Sequence, residues 1–246
     1  MKYILVLILI FSSLFAEDEK QKVTIGLGPY IQSQPYKNVD DIVVASPVIF
    51  YDNEIVYVRW SRAGLYFYGD KQEDYAWAFS LTVQPRVNGY EAGEVYGMQE
   101  RESTWEGGLA FSAKTQKAYI EIMALTDVLD RYDSFIVRTE IGYDLKFGKL
   151  ELYPSMIFIY QSKEFLNYYY GVTKTEELVG AGQEYKPNAG LEIGVQTYIK
   201  YPITESFSAL VNIRADRISK EATHSPIVYE DFIYSGLASL IYTFYY

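Results

Sequence analysis

The sequence contains no cysteine and a single histidine among its 246 residues. The absence of cysteine excludes disulfide bonds, thiolate metal sites and thiol nucleophiles. Basic residues are also few, since 22 Lys and Arg stand against 32 Asp and Glu and give a formal net charge of −10. Nucleic-acid binding usually needs a clustered basic surface, and the Lys and Arg residues here are scattered singly. We therefore expect no nucleic-acid partner.

A glycine-rich phosphate loop is missing as well. The glycines of "GLG" (26–28) lie inside an alternating, strand-like segment, whereas a phosphate-cradling loop would have to precede a helix. We therefore predict that the protein carries no cofactor.

Long apolar runs are absent apart from the first sixteen residues, "MKYILVLILIFSSLFA". This segment has Lys2 near its start, an apolar run from Ile4 to Phe11 and Ala16 at its end, and the charged "EDEKQK" follows at once. Such an order is typical of a secretory signal peptide, here cleaved after Ala16. A transmembrane helix needs about 20 apolar residues, and the uncharged stretch 3–15 is shorter and contains two serines. The chain is therefore predicted to be exported.

Alternation of apolar and polar residues dominates the rest of the chain. Between Phe135 and Phe147 the odd positions are mostly apolar and the even positions are mostly charged. The segments 191–201 and 209–216 alternate in the same way, and 118–125 does so more weakly. Successive strand residues point to opposite faces, so each segment predicts a strand with one apolar and one polar face. The 26 tyrosines suit such strands, because a tyrosine ring can be buried while its hydroxyl contacts water.

The lengths of the alternating segments favour a membrane barrel. They run for about 10 to 14 residues, and a tilted transmembrane strand needs about 9 to 11. A soluble β-sandwich or a lipocalin-like barrel would also alternate, with its apolar face inside and its charged face in water. Short connections are predicted at 52–53, 114–117, 148–149 and 202–206, and longer ones at 34–41, 87–103, 126–133, 162–187 and 218–230. The two kinds broadly alternate, as turns and loops do in outer-membrane barrels, which favours the membrane barrel.

The predicted fold is all-β, a transmembrane antiparallel barrel of the outer-membrane type. It spans residues 23–246 as one domain, and 17–22 form a short N-terminal periplasmic segment. We predict about twelve strands, with 54–68 folding back near Ser61 and Arg62. Ten strands are the alternative, if part of that region pairs otherwise.

The chain ends on the aromatic stretch "SGLASLIYTFYY" (235–246), although chain ends are usually polar. Alternate residues of this stretch share one strand face: Leu240, Tyr242, Phe244 and Tyr246. If that face meets outer-membrane lipids, the rings lie at the inner membrane–water boundary, where they are favoured. The stretch also resembles the C-terminal signal that the barrel-assembly machinery recognises. We therefore predict a location in the outer membrane of a Gram-negative bacterium.

The polar faces of the predicted strands carry charges of both signs. In a barrel these residues would point inward: Arg138, Glu140, Asp144, Lys146, Glu192, Lys200, Arg214 and Asp216. Inward charges need partners or water, so the mixture of signs favours an ion-paired network that fills a narrow lumen. A selective pore lined by rings of charge is the alternative.

Several short motifs, spread in order along the mature chain, share one resemblance. "YYYGV" (168–172) is followed by "TKTEE" and by "YKPNAGL" (185–191), and "HSPIV" (224–228) precedes the last strand. "GLGPYIQSQPY" (26–36) and "SPVIFYDN" (46–53) stand near the start. Together these motifs resemble the MipA/OmpV family of MltA-interacting outer-membrane proteins, with His224 where that family usually has Asp.

The resemblance implies a barrel linked with cell-wall turnover, a scaffold between a lytic transglycosylase and a murein synthase, and it supplies no catalytic residues. We therefore expect a non-enzymatic interaction barrel, with a small outer-membrane channel as the alternative. A lipid hydrolase that uses a His and a Ser is a third hypothesis. His224 and Ser225 are adjacent, however, and neighbouring strand residues face opposite sides, while the same-face position is Pro226. No catalytic or metal-binding residue is predicted.

Overall fold

The computed structural model describes residues 21–246, so the predicted signal peptide and its cleavage site at Ala16 lie outside the described residues. The described chain forms one antiparallel sheet that closes on itself. Its strands are β1 (Lys22–Gln32), β2 (Ile42–Asp52), β3 (Val56–Arg59), β4 (Arg62–Lys71), β5 (Tyr75–Arg86), β6 (Thr104–Thr115), β7 (Ala118–Asp127), β8 (Phe135–Tyr143), β9 (Leu145–Phe147), β10 (Leu150–Gln161), β11 (Gly190–Pro202), β12 (Phe207–Arg217) and β13 (Phe232–Tyr245).

The wall of the barrel has twelve strands in the described chain. β9 continues β8 beyond Asp144, and both pair with β10, so the two pieces form one interrupted strand. β3 and β4 are joined by the two residues Trp60 and Ser61. The predicted fold-back of 54–68 is therefore confirmed, and with it the preferred number of twelve strands.

The sheet closes where β1 pairs with β13. The pairing runs from Lys22 opposite Tyr245 to Gln32 opposite Ser235. Backbones approach closely here, since a Cβ atom at Gly28 would collide with the carbonyl oxygen of Ala238. A glycine is therefore required at this point of the seam.

The exterior of the barrel is apolar and the interior is polar. On β12, Ile213 faces outward and is 55% exposed, whereas the neighbouring Asn212 faces inward and is 2% exposed. The same contrast separates Ile141 from Glu140 on β8. This arrangement is the reverse of a soluble sandwich or lipocalin-like barrel, whose apolar residues fill the interior, and it fits an exterior that contacts lipid.

Short turns and long loops lie at opposite ends of the barrel. The end that holds both chain termini carries tight turns at 53–55, 72–74, 116–117, 148–149 and 203–206. The other end carries the long connections 33–41, 87–103, 128–134, 162–189 and 218–231. In outer-membrane barrels the short turns face the periplasm and the long loops face the outside. The predicted alternation is confirmed, although the turn at 72–74 was not among the predicted ones.

Within residues 21–246, three short helices lie in the outer loops: α1 (Lys163–Tyr170), α2 (Lys174–Leu178) and α3 (Lys220–Thr223). The hydroxyl of Ser162 accepts a hydrogen bond from the backbone N–H of Phe165 and caps α1. None of the described helices is long and apolar enough to cross a membrane. The alternation pattern predicted loops at these positions and missed the helices.

The wall is incomplete in its outer half, between β2 and the β3–β4 hairpin. β2 pairs with β3 only from Phe50 to Asp52, and the backbone N–H of Trp60 donates to the carbonyl of Ile49 at 2.8 Å. Residues 42–48 pair with β1 on one side and with no described strand on the other. Across the opening, residues 84–86 of β5 pair only with β6. We call the opening between 42–48, Trp60 and 84–87 the wall gap.

Candidate functional site

The barrel encloses a cavity of about 1540 Å³. Its periplasmic part is lined by charged residues such as Lys22 and Lys114, and its outer part reaches Ser46 and Trp60 at the wall gap. The side chains of the wall therefore leave a substantial open volume in the lumen, which the predicted network was expected to fill.

Seven of the eight predicted lumen residues line this cavity: Arg138, Glu140, Asp144, Glu192, Lys200, Arg214 and Asp216. Lys146 lies on the same face of the wall but is exposed at the periplasmic end. Their joint role as a network stays a prediction.

Two ion pairs in the lumen join residues of a single strand. Nη2 of Arg138 donates to Oε2 of Glu140 at 2.6 Å, and Nε of Arg214 donates to Oδ2 of Asp216 at 2.7 Å. Residues two apart on a strand share a face, so the local alternation alone brings each pair together.

Neighbouring strands add further contacts in the lumen. Nε2 of Gln161 donates to Oε2 of Glu192 at 2.8 Å, and Nζ of Lys200 lies 3.3 Å from Oε2 of Glu151. These contacts compensate part of the cost of placing charges away from bulk water.

A second cluster of charges in the lumen was not predicted from the sequence. Arg59 and Arg62 both bind Glu121, with Nη1 atoms at 3.1 Å and 2.5 Å from its two carboxylate oxygens. The alternation of 118–125 had placed Glu121 on the polar face. The two arginines flank the turn between β3 and β4, so only the fold-back of this hairpin brings them to that carboxylate.

A further buried pair lies higher in the barrel. Nε of Arg86 donates to Glu106, which is fully buried, and the hydroxyl of Tyr132 donates to Oε1 of Glu106 at 3.0 Å. This pair links the wall to the loop 128–134.

The five long loops, which we call the outer cap, pack together across the outer mouth (33–41, 87–103, 128–134, 162–189 and 218–231). α1 buries an apolar face made of Phe165, Leu166, Tyr169 and Tyr170. The rings of Tyr132 and Phe165 lie 5.0 Å apart, and those of Tyr36 and Tyr170 lie 5.7 Å apart. The cluster continues onto the inward-facing Ile157 and Ile159 of the wall. The outer mouth is thus covered by an apolar core of its own.

Polar contacts hold the outer cap together at Glu176. Nη2 of Arg101 donates to Oε1 of Glu176 at 2.7 Å, and the backbone N–H of Thr173 donates to Oε2 at 2.8 Å. Burial opposes ionisation of Glu176, but these donors outweigh it and hold the pKa of its carboxyl below the ordinary value. Glu176 is therefore ionised and joins the loops 87–103 and 162–189 through its ion pair with Arg101.

The structure separates the two residues of the hydrolase hypothesis. His224 is exposed at the C-terminal end of α3, whereas Ser225 is buried. The hydroxyl of Ser225 donates to the backbone carbonyl of Tyr170 at 2.6 Å. Ser225 thus fastens α1 to the last loop, and its proton is directed away from any base at His224.

The aromatic C-terminus lies on the outer surface of β13. Leu240 is 54% exposed there, and Tyr242 packs against Phe207 and Phe244 with ring centroids 4.9 Å and 6.0 Å apart. The backbone N–H of Tyr246 donates to the carbonyl of Gln21 at 3.2 Å, so the two ends of the chain meet at the periplasmic rim. Recognition of these residues by the assembly machinery stays a prediction.

A closed twelve-stranded barrel with an apolar exterior, a charged lumen and aromatic residues at its periplasmic rim defines an integral protein of the bacterial outer membrane. Within this class the chain belongs to the family of the MltA-interacting protein MipA, whose sequence profile matches residues 25–244. The resemblance seen in the short motifs is therefore confirmed.

Individual relatives cover most of the chain. The MltA-interacting protein of Escherichia coli K12 is 26% identical over 235 residues, which are 94% of this chain and 93% of that protein. The outer membrane protein YiaT of the same organism is 24% identical over 84% of this chain and 85% of its own length. Among solved structures, an outer membrane channel from Pseudomonas putida F1 has a TM-score of 0.44 and 10% identity, covering 95% of this chain and 98% of that one.

Proposed function

We propose that this barrel is a non-enzymatic interaction protein that holds a lytic transglycosylase at the periplasmic side of the outer membrane. The observation that carries the proposal is the apolar packing of the outer cap. Because five loops cover the outer mouth, the structure favours a barrel that presents a binding surface rather than one that forms an open pore. The name of the relative in Escherichia coli, which interacts with MltA, supports the same proposal.

The periplasmic turn 203–206 offers an anchor for such a partner. Ile203 is 57% exposed although it lies in a turn that faces water, and Lys149 and Glu205 lie beside it. An apolar side chain surrounded by charges is a common arrangement at the centre of a transient protein interface. We therefore place the contact at this turn.

Binding can be measured with the barrel in nanodiscs and the purified lytic transglycosylase of the same organism. We expect saturable binding, and we expect Ile203→Asp to weaken it about tenfold or more, since a buried charge replaces an apolar anchor. Leu178→Asp is the matched control, because Leu178 is also an apolar residue exposed to water, at 80%, but lies in the outer cap. Absence of binding by the folded wild-type barrel would contradict the proposal.

A scaffold must also hold a second enzyme. We expect a murein synthase to bind the complex of barrel and transglycosylase more tightly than it binds the transglycosylase alone. Equal affinities in the two measurements would reduce the proposed scaffold to a simple anchor.

A channel is the second candidate function, and the cavity of about 1540 Å³ is the observation that favours it. A channel needs the outer cap to open. Current across a planar bilayer distinguishes the two functions, because steady discrete steps from the wild-type protein require a continuous path of water.

A further inference from the structure

The cavity of the lumen reaches the wall gap. Val43 and Val44 are neighbours on β2 and point to opposite faces, yet they are 65% and 48% exposed. Val43 faces outward and Val44 faces the open cavity, so β2 has free space on both of its faces beside the gap. Val44 and Ser46 line the cavity, so the gap is its lateral entrance from the outer half of the membrane.

The inner rim of the gap is aromatic. Trp60 occupies a left-handed backbone conformation with φ of 57°, and its indole N–H donates to the hydroxyl of Ser46 at 3.0 Å. Its ring makes edge contacts with Tyr30 and Tyr198, at centroid distances of 5.5 Å and 6.4 Å. The non-glycine left-handed conformation is costly, and it turns the indole toward the lumen at the entrance. An alkyl chain that enters here meets rings along its path.

Two buried guanidinium donors lie deeper in the cavity. Nε of Arg62 and Nη1 of Arg138 are buried and have no hydrogen-bond partner among the described residues. Both side chains line the cavity. Buried donors are nearly always satisfied, and leaving one unpaired is costly. Neither nitrogen is exposed to the cavity, so an acceptor carried by a ligand would pair with them once the two guanidinium groups turn toward the lumen.

We propose that the cavity binds a free single-chain amphiphile with an anionic head, such as an aliphatic carboxylate, which enters from the membrane through the wall gap. The alkyl chain lies against Val44, Tyr30 and Trp60, and the carboxylate accepts hydrogen bonds from Arg62 and Arg138. An aliphatic tail suits the aromatic rim, and the negative head suits donors that carry positive charge. This ligand site is independent of the partner proposed at the periplasmic turn.

Quenching of Trp60 by bromododecanoate tests the site, since a bromine atom quenches an indole that it contacts. The protein has three tryptophans, and the variant Trp77→Phe/Trp105→Phe keeps Trp60 alone. A second variant, Trp60→Phe/Trp77→Phe, keeps Trp105, which is 48% exposed on the outer face and reports the probe dissolved in lipid. Both are refolded into vesicles, and heat-modifiable migration on gels establishes that each variant is folded.

We expect saturable quenching of Trp60 and quenching of Trp105 that rises linearly with the probe. Arg62→Gln should raise the half-saturation concentration about tenfold, because one charge-assisted hydrogen bond is lost. Glu121 keeps Arg59 as its partner in this variant. Lys117→Gln, in an exposed periplasmic turn, is the matched charge control and should change nothing. Bromododecanol, which lacks the charge, should bind about as weakly to the wild type as bromododecanoate binds to Arg62→Gln.

The entrance is tested by the rate of quenching. Val44→Phe should slow the onset several-fold because a larger side chain narrows the gap, whereas Val43→Phe, on the outer face of the same strand, should not. The proposal is overturned if Trp60 quenching is linear like that of Trp105, or if Arg62→Gln leaves the half-saturation unchanged. Strong quenching of Trp60 by vesicles of brominated phosphatidylglycerol alone would overturn it as well, because a membrane lipid would then be the occupant.

Discussion

Arg101 and Glu176 lie 75 positions apart in the sequence and meet in a buried ion pair of 2.7 Å within the outer cap. Nε of Arg101 also donates to the backbone carbonyl of Tyr168 at 2.5 Å, so one guanidinium binds both α1 and the start of α2. Arg101 thus joins the two longest outer loops, which are also joined by the hydrogen bond from the hydroxyl of Tyr169 to the carbonyl of Glu102 at 3.2 Å. Closure of the outer mouth therefore depends on polar contacts that can be tested separately from the wall.

Glu176→Gln should loosen the outer cap without unfolding the barrel. The substitution weakens the bonds to Arg101 and to the backbone of Thr173, and loss of a charged hydrogen bond costs about 1.5–3 kcal/mol. Amide hydrogen exchange of residues 163–178 should accelerate by roughly tenfold or more, since each 1.4 kcal/mol is a factor of ten. Glu177→Gln is the control, because Glu177 is exposed beside it. Equal exchange rates in both variants would show that the hydrogen bonds of Glu176 do not stabilise the outer cap.

The outer cap should also loosen in acid. The pKa of Glu176 is lower in the folded protein than in the unfolded chain, so its stabilising effect is complete above the unfolded value of about 4.3. As the pH falls below that value and through the folded pKa, the carboxylate takes up a proton and the effect is lost. The amide exchange rate of residues 163–178, corrected for its intrinsic pH dependence, should therefore rise in the wild type as the pH falls from about 4.3 through the folded pKa. The same profile for Glu176→Gln should be flatter, and identical profiles would exclude Glu176 as the titrating group.

Phe165→Asp should open the outer mouth. Phe165 is fully buried in α1 against Tyr132 and Tyr169, and an unpaired charge at such a position is too costly to keep. We expect silence from the wild-type barrel in a planar bilayer and discrete current steps from this variant. Leu178→Asp, 80% exposed in the same cap, should remain silent. Steady steps from the wild type would instead favour the channel.

Gly28→Ala should weaken the closure of the barrel. Its Cβ would collide with the carbonyl of Ala238, and overpacking of this kind costs about 1–3 kcal/mol. Gly236→Ala is the matched control on β13, because a Cβ there would lie 3.5 Å from the carbonyl oxygen of Asn212, an ordinary contact. The midpoint of urea unfolding in micelles should fall for the first variant and stay nearly constant for the second. If both variants unfold at the same urea concentration, the backbone between β1 and β13 shifts enough to accommodate the Cβ atom at position 28.

The wall of the barrel could be predicted from sequence because alternate residues of a strand lie on opposite faces, one apolar and one polar. The pattern from Phe135 to Phe147 continues through the break at Asp144, and both pieces pair with β10 as one strand. Local pairs such as Arg138 and Glu140 follow from the same alternation. The sequence left ten strands as the alternative to twelve, and the turn at Trp60 and Ser61 gives twelve.

The outer cap and the wall gap could not be predicted in this way. The buried face of α1 consists of aromatic residues that also suit a strand or a loop, and its partners Tyr36 and Tyr132 come from distant loops. Likewise Arg59 and Arg62 on the β3–β4 hairpin meet Glu121 on β7, although β7 is not a neighbour of either strand in the sheet. Alternation records which face a residue occupies, whereas the gap depends on how far each strand extends beside its neighbour.

The intrastrand ion pairs of the lumen bear on how the chain enters the membrane. Arg138 with Glu140 and Arg214 with Asp216 are neighbours on one strand, so each pair can form as soon as its own strand is extended. A strand hairpin therefore carries its charges across the hydrocarbon region already neutralised, before the ring of strands is complete. Arg62, by contrast, pairs with Glu121 of β7 at 2.5 Å, so the β3–β4 hairpin gains this neutralisation only after β7 has joined the sheet.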